Sequence, residues 1–440
     1  MIEFRRMHSP SAGAEVPARP LDLIDVVMGL SEAMDLVSPV VVNHHKRVAC
    51  MALGLAREWG LEEERLRDLL LASLLHDCGV LSLHERLETF KFDFPHPQAH
   101  AEAGYHLVRA FSPLKWAARI IRHHHAVWAE EGEKAPLESH MLHLADRADV
   151  LVDPKRKLAR QTTSIRDKLR RHRGGLFHPG LVDAFLDLSP DTAFWARSAS
   201  GEPDPARHAA SRVRAVAVRE GDLEGIAELF SGIIDFRSRY TYSHSRGVAA
   251  VAEHLGRLAG LEVSDCWRMR VAGLLHDLGK LCVPSEILEK PGPLTEEERA
   301  VVRTHPHMTR EILEKTGEAL GFVGWAAEHH ERLHGGGYPH GKEFRELSEP
   351  SRLLAVCDVY TAVTEDRPYR PGMDRSAAQD LLRELRNAGA LDRRGVDLVL
   401  YHFPRIQQTR IRAQREAARR YRAVEEARHA RMKESEEPEG

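Results

Sequence analysis

Two ten-residue stretches, 200 positions apart, contain the same histidine–aspartate pair in the same setting. They are LASLLHDCGV at residues 71–80 and VAGLLHDLGK at residues 271–280. Each pair follows an apolar run that should be buried, and a buried polar group without a partner costs several kcal/mol. A metal ion would satisfy both side chains. The second stretch ends in Lys280, where the first has Val80.

The two pairs belong to two longer series of histidines and aspartates that recur in the same order. The distance between matching members is first 200, then 205 and finally 212 residues, which fits a duplication followed by short loop insertions. A run of three histidines at 123–125 leaves the register open there, and the spacing from His100 favours the last two. The first series is His44, His76, Asp77, His100, His124, His125 and Asp146, and the second is His244, His276, Asp277, His305, His329, His330 and Asp358.

Five histidines and two aspartates are too many ligands for one tetrahedral site. They suit two ions that keep open positions for water. Imidazole with carboxylate is typical of Fe, Mn or Zn sites, and one aspartate can bridge two ions. A hydrogen-bonded core histidine would explain any single member, but not seven members that recur in order. We therefore expect a two-metal site in the second copy.

Residues beside this series indicate a phosphate-bearing ligand. Lys280 follows His276 by four positions, so on a helix it shares the same face, and an anion between lysine and metal would relieve their repulsion. The alternative is an exposed lysine after a helix that ends at Gly279. The stretch HHERLHGGGYPHG, residues 329–341, then places three glycines where the backbone can approach a ligand closely. We expect a substrate-binding lip there that includes Gly337, Tyr338 and Pro339.

The order HDLGK, HP, HHERLHGGGYP and CDVYTAVTEDRPYR resembles the HD-GYP domain. This is the bacterial cyclic-di-GMP phosphodiesterase subgroup of the HD superfamily of metal-dependent phosphohydrolases, and the resemblance covers about residues 222–404. It implies a helical bundle with a di-metal centre, often iron or manganese, that hydrolyses cyclic-di-GMP to linear pGpG and often onward to GMP. It further implies that the second series are the metal ligands, that Asp277 bridges, and that Lys280, Arg367 and Arg370 contact substrate phosphates.

Three positions depart from the family pattern. Tyr240 stands where members with a third metal carry a glutamate, so we expect two ions. His334 and Thr361 replace two usual aspartates, which leaves the substrate open. Alternatives are a phosphohydrolase for another nucleotide, such as cyclic GMP-AMP or a mononucleotide, and a weakly active adaptor that binds a cyclic dinucleotide or a partner cyclase.

The first copy keeps all seven ligand types but lacks the groups that would handle substrate. Val80 replaces the lysine, Ala126 replaces the glutamate after the HH pair, and neither the GYP lip nor RPYR has a counterpart. We favour a metal-loaded, weakly catalytic domain that regulates or stabilises the second copy, since a metal site can hold helices together. The alternative is an active phosphohydrolase with a different substrate.

Helical periodicity extends over most of the chain, and strand patterns are nearly absent, which predicts an all-α fold of two tandem HD bundles. We expect a flexible arm over 1–20, the first HD domain over 21–197 and a linker over 198–221. The HD-GYP domain follows over 222–404, and residues 405–440 should form an Arg-rich helix, solvated or partner-facing, with an acidic tail.

Composition excludes several classes of protein. The 440 residues carry a net charge of −3, so no overall field favours DNA, RNA or anionic membranes. Five scattered cysteines and the lack of an apolar leader or span indicate a cytoplasmic protein. Besides the cyclic dinucleotide, the expected partner is a second copy of the chain or a signalling protein.

Overall fold

The structure is a computed structural model that describes residues 21–38, 42–189, 194–195, 213, 216–237, 243–316, 321–366 and 371–434. Within these ranges the chain is helical, and the only sheet-like pairings are isolated bridges such as Asp22 with Ala217. The all-α prediction is therefore confirmed. No helix in the described part is both long and apolar enough to cross a membrane.

In the first half, ten α-helices lie wholly within the described residues. They are α1 (Leu23–Asp35), α2 (His44–Glu58), α3 (Glu63–Leu75), α4 (Leu83–Glu88), α5 (Pro97–Val108), α6 (Lys115–Arg122), α7 (Trp128–Glu131), α8 (Leu137–Asp149), α9 (Thr162–Arg171) and α10 (Pro179–Leu188). Helix α2 packs against α3 and α8, and α6 packs against α3 and α5.

The second half repeats this arrangement. Its helices are α11 (Glu220–Phe236), α12 (His244–Ala259), α13 (Val263–Leu275), α14 (Ser285–Leu288), α15 (Glu296–Arg303), α16 (His305–Thr316), α17 (Val323–Ala327), α18 (Glu349–Thr364), α19 (Arg375–Asn387), α20 (Arg393–Tyr401) and α21 (Phe403–Glu434). Helix α12 packs against α13 and α18, as α2 does against α3 and α8.

The two halves share one hydrophobic core. Helix α1 of the first half packs on α16 and on the 3₁₀ turn Leu278–Cys282 of the second half. Buried apolar residues form one continuous cluster from Leu23 to Ile406, so no solvent layer separates the halves. The predicted linker, residues 198–221, lies largely outside the described residues, and its end pairs with the start of α1 through Leu23 N–H and the Val216 carbonyl.

The C-terminal helix differs from the expectation. Helix α21 is not a solvated appendage but packs against α12 of the second half and α5 of the first. Phe403, Ile406, Arg410, Ala417 and Val424 form its buried stripe. Its arginines pair with acidic residues of both halves: Arg420 lies 3.1 Å from Glu228, and Arg428 lies 3.1 Å from Glu85. The acidic tail after Glu434 lies outside the described residues.

Candidate metal centres and active site

The seven residues of the second series converge on one centre in the second half. One group consists of His244, His276 and Asp358, and another of His305, His329 and His330. Asp277 lies between the groups: one oxygen is 3.3 Å from His276 Nε2 and the other is 3.3 Å from His305 Nε2. Each group could hold one divalent ion, and Asp277 would then lie between the two ions.

Backbone contacts fix the orientation of the ligand rings. Nδ1 of His276 lies 2.8 Å from the Gly273 carbonyl, and His305 and His329 bond in the same way to carbonyls three residues earlier. A carbonyl accepts only from N–H, so each ring carries its proton on Nδ1 and presents Nε2 to the centre. His305 Nε2 and His329 Nε2 lie 3.3 Å apart, close enough to share one ion.

The charge states of these groups also suit metal binding. Burial lowers the pKa of His330 to about 3, and burial together with the neighbouring His330 lowers the pKa of His329 well below its usual value. Both are therefore neutral ligands at pH 7. Burial opposes the ionisation of Asp277, but His276 and Lys280 hold its pKa well below the usual range. The neutral His329 and His330 beside the ionised Asp277 suit a divalent cation. Burial lowers the pKa of His244, but Glu365 and Asp358 raise it to about 10.

The glycine after each histidine–aspartate pair is required by packing. A Cβ on Gly279 would lie 2.0 Å from the His305 carbonyl oxygen, and one on Gly79 would lie 2.2 Å from the His100 carbonyl oxygen. The chain changes direction here: α13 ends at Leu275, and a 3₁₀ turn begins at Leu278. Lys280 thus reaches the centre from this turn, not from a continuous helix.

Lys280 lies beside the bridging aspartate. Its Nζ donates to Asp277 Oδ2 over 2.6 Å, and its side chain is 19% exposed. The side chain of His330, a member of the second ligand group, is 22% exposed. These two partly exposed side chains show where the centre opens to solvent.

The lip is held by Glu331, which follows the HH pair. Its carboxylate is buried and accepts the N–H groups of His340 and Lys342 over 2.8 and 2.9 Å. A Cβ on Gly337 would lie 2.3 Å from Arg332 N, so only glycine fits. The lip therefore folds back on the candidate metal ligands.

The aromatic side chain of the lip covers one ligand. The Tyr338 ring lies 4.7 Å from the His330 ring, and the Arg303 guanidinium lies 5.4 Å from the Tyr338 centroid. Pro339 follows through a cis peptide bond. Gly337, Tyr338 and Pro339 thus lie beside the centre as one surface.

The other sequence-derived positions have separate outcomes. Arg367, Arg370 and Tyr240 lie outside the described residues. His334 is exposed, and its Nδ1 accepts the Gly336 N–H over 3.0 Å, so it caps the turn as an aspartate would. Thr361 is fully buried on α18, and its hydroxyl has no hydrogen-bond partner among the described residues.

The first series converges in the same way in the first half. His44, His76 and Asp77 form one group, and His100, His124 and His125 form the other. Asp146 Oδ1 lies 3.4 Å from His44 Nε2. The buried atoms His76 Nε2 and Asp146 Oδ1 have no hydrogen-bond partner and lie 3.8 Å apart. A metal ion between them would satisfy both, so the residues present fit an ion.

Two buried arginines distinguish the first centre. Arg86, on α4, donates to Asp77 Oδ2 over 2.8 Å and so takes the contact that Lys280 makes with Asp277. Arg147 donates through Nε and a terminal nitrogen to Asp146 Oδ2. The guanidinium of Arg86, on α4, thus takes the place of the lysine that is missing at position 80. Sequence comparison missed Arg86 because its counterpart at an offset of 200 is Glu286.

The candidate ligands of the first centre are also more deeply buried than His330. His100 and His125 are only 1% and 3% exposed. The Phe94 ring stacks on His100 at 5.9 Å and meets His125 edge-on at 5.3 Å, and the Arg147 guanidinium lies 5.0 Å from the same ring. Among the described residues no side chain of the first series is as exposed as His330, although a cavity of about 430 Å³ is lined by Phe94 and His100.

Comparison with known proteins agrees with this duplicated architecture. The HD domain family matches twice, over residues 41–151 and 228–395. A 3′3′-cGAMP-specific phosphodiesterase 1 of Vibrio cholerae is 30% identical over 398 residues, which cover 87% of this chain and 92% of that protein. The chain belongs to the HD-GYP family of tandem HD-domain phosphohydrolases.

Two further relatives show the reach of this similarity. A cyclic di-GMP phosphodiesterase of Pseudomonas aeruginosa is 43% identical over 140 residues, about a third of each chain. A crystal structure of a cyclic GMP-AMP specific phosphodiesterase from V. cholerae superposes with a TM-score of 0.59 at 23% identity, over 88% of this chain and 98% of that one. The latter supports the tandem HD fold of this HD-GYP protein.

Proposed function

We propose that this HD-GYP protein hydrolyses one 3′–5′ phosphodiester bond of a cyclic dinucleotide in its second half. The observation that carries the proposal is the pair of ligand groups joined by Asp277, open to solvent between Lys280 and His330. The seven second-series residues would hold two divalent ions, with iron or manganese as our expectation.

The chemistry follows from the groups around this centre. Bound ions would supply a water of lowered pKa and positive charge for the phosphoryl oxygens. Lys280 uses one of its three N–H donors on Asp277, so two remain for a phosphoryl oxygen. A water oxygen bonds to phosphorus, the bond from phosphorus to the ribose 3′ oxygen breaks, and one water proton is transferred to that oxygen. The product is a linear dinucleotide with a 5′ phosphate.

The proposed substrate is cyclic-di-GMP, giving pGpG and then GMP, as the HD-GYP motifs imply. A second candidate is 3′3′-cGAMP, because the V. cholerae relative named for it is similar over 92% of its length. Tyr338, Pro339, Gly337, Arg367 and Arg370 are the proposed substrate contacts. A flat ring at 338 suits stacking against a nucleobase of either compound.

The test is a product assay with matched variants. Protein purified anaerobically with Mn(II) or Fe(II) is incubated with cyclic-di-GMP or 3′3′-cGAMP, and the products are separated by chromatography. We expect a linear dinucleotide from at least one of them, and none after His276→Ala with Asp277→Ala. No hydrolysis of either compound at any metal loading would contradict the proposal and favour the adaptor.

For the first half we propose a structural or regulatory metal centre with little turnover. The support is the retained ligand set, its burial beside Phe94 and the two arginines on the aspartates. His76→Ala with Asp77→Ala should leave most of the hydrolysis intact. Loss of activity in a folded protein would contradict this assignment.

A further inference from the structure

His244 differs from His276, His305 and His329 in what holds its outer nitrogen. Nδ1 of His276, His305 and His329 bonds to backbone carbonyls. Nδ1 of His244 instead lies 3.1 Å from both carboxylate oxygens of Glu365, which is 4% exposed. A carboxylate behind a ligand histidine fixes its tautomer and strengthens the opposite nitrogen as a ligand.

Glu365 is held in turn by the C-terminal helix. Gln414, on α21, donates its amide N–H to Glu365 Oε2 over 2.9 Å. The amide oxygen of Gln414 accepts from the buried Arg410 one turn earlier, which fixes which way the amide points. A chain of contacts therefore runs from Arg410 through Gln414 and Glu365 to His244.

A glycine on α12 makes room for this glutamine. Gly247 lies three residues after His244, and a Cβ there would be 3.0 Å from Gln414 Nε2 and 3.1 Å from its Cγ and Cδ. These distances are tighter than ordinary van der Waals contact, so a larger residue would push the amide away from Glu365. The close approach of α21 to α12 thus depends on position 247.

In the first half, the side chain that holds the carboxylate comes from the same helix as the histidine, α2. Its residue at the position of Gly247, 200 places earlier, is Arg47. Arg47 donates to both oxygens of Asp149 over 2.8 and 2.9 Å, and Asp149 lies 2.8 Å from His44 Nδ1. In both halves a carboxylate orients the first histidine and a neighbouring side chain holds the carboxylate. In the second half glycine replaces that arginine, and Gln414 fills the space.

We infer that Glu365 and Gln414 are positioning residues for the second metal centre, and that the C-terminal helix completes this centre through them. The inference rests on the metal centre of the proposed function, but it assigns a role to residues outside the ligand set.

The experiment measures Mn(II) affinity of the full-length protein by competition with a chromophoric chelator. Removal of such an outer contact typically weakens metal affinity 10- to 100-fold. We expect a loss of about that size for Glu365→Gln, and a smaller loss for Gln414→Met, which keeps the packing volume but lacks the amide. Gln408→Ala, an exposed glutamine on the same helix, is the matched control and should bind as wild type.

The coupling between the two residues gives a second readout. Since Gln414 acts through Glu365, Gln414→Met should weaken binding much less in a Glu365→Gln background than alone. Gly247→Ala should reproduce the effect of Gln414→Met by displacing the amide.

The outcomes separate this inference from the proposed function. Wild-type protein without a Mn(II) site that depends on His276 and Asp277 would contradict the proposed function itself. Wild-type binding that Gln414→Met leaves unchanged would overturn the inference alone. Because Gln414→Met preserves the packing volume, a loss of Mn(II) affinity in this variant reports on the missing amide.

Discussion

At the scale of single residues, matching aspartates in the two halves have opposite acidities. Asp35 is buried, but His45 and Arg86 lie within 2.6 and 3.1 Å and lower its pKa despite that burial. Asp235, 200 positions later, has hydroxyl donors instead, with Ser245 Oγ at 2.9 Å. Burial therefore raises its pKa to about 7, and the Ser245 hydrogen bond offsets this only in part.

Asp235 should make folding stability depend on pH. The folded protein retains this proton up to about pH 7, whereas the unfolded chain releases it near pH 4. Its contribution is thus fully present below about pH 4 and is lost as pH rises to 7. Asp235→Asn cannot ionise, so the variant should gain a few kcal/mol on wild type between pH 5 and pH 8. Urea unfolding of the metal-free proteins at both pH values measures this gain, and an equal difference at both would contradict it.

Lys280 and Arg86 make the same contact but should respond differently to removal. Lys280→Met should lower kcat at least about 100-fold with bound Mn(II) unchanged, because it removes an electrostatic partner of the phosphoryl group. Arg86→Met should leave turnover largely intact and destabilise folding by about 3–5 kcal/mol, because Asp77 and Asp35 are buried beside it. Turnover assays and denaturant titrations separate the two. The half-exposed Lys290, paired with Glu298, supplies the control Lys290→Met.

A candidate metal ligand could be predicted from the sequence where a matching residue occurs in the other copy. The fourteen members of the two series were recognisable because they recur at nearly constant offsets. Arg86 and Gln414 could not be found in this way, because no residue of the same type makes the equivalent contact in the other half. Arg86 reaches its site from α4, and Gln414 reaches its site from α21. The exchange of Arg47 for Gly247 was visible in the sequence, but its meaning depends on the position of α21.

At the scale of elements, the turn after each histidine–aspartate pair explains the shared glycine. Spacing alone predicted a helix that carries Lys280 on the face of His276. The structure instead ends the helix at Leu275, and Gly279 N–H donates to Thr309 Oγ1 of α16 over 2.9 Å. Contact between two elements distant in sequence cannot be read from periodicity. The lysine nevertheless reaches the centre, because the turn passes directly beside α16.

Alanine at the two glycines should therefore separate the functions of the two halves. Gly279→Ala would force the turn away from His305, so we expect loss of Mn(II) from the second centre together with turnover. Gly79→Ala creates the same overlap with His100 in the first half, and activity at 25 °C should persist. Metal analysis and product assays of both folded variants test this. Equal loss of activity in both would show that the centres are not independent.

At the scale of the whole molecule, the second half caps a helix of the first. Backbone N–H groups of Leu83 and His84, at the start of α4, donate to Ser285 Oγ and a Glu286 carboxylate oxygen over 3.2 and 3.1 Å. Helix α4 carries Arg86, so the contact with Ser285 and Glu286 of α14 stabilises the helix from which Arg86 reaches Asp77. The presence of two HD domains could be predicted from the duplication. The contact between them could not, because a sequence repeat shows that two segments are similar and not that they touch.

This contact and the continuous core predict that both halves unfold together. We expect one calorimetric transition, and we expect His76→Ala with Asp77→Ala to lower the temperature of that whole transition without splitting it. Glu286→Ala removes one cap of α4 and should cost about 1 kcal/mol, again within a single transition. Glu296→Ala, an exposed residue of α15, is the control. Two resolved transitions, with only the earlier one shifted by His76→Ala with Asp77→Ala, would show that the halves unfold as separate units. That result would contradict the shared core, because the first half cannot unfold alone while α1 stays packed on α16.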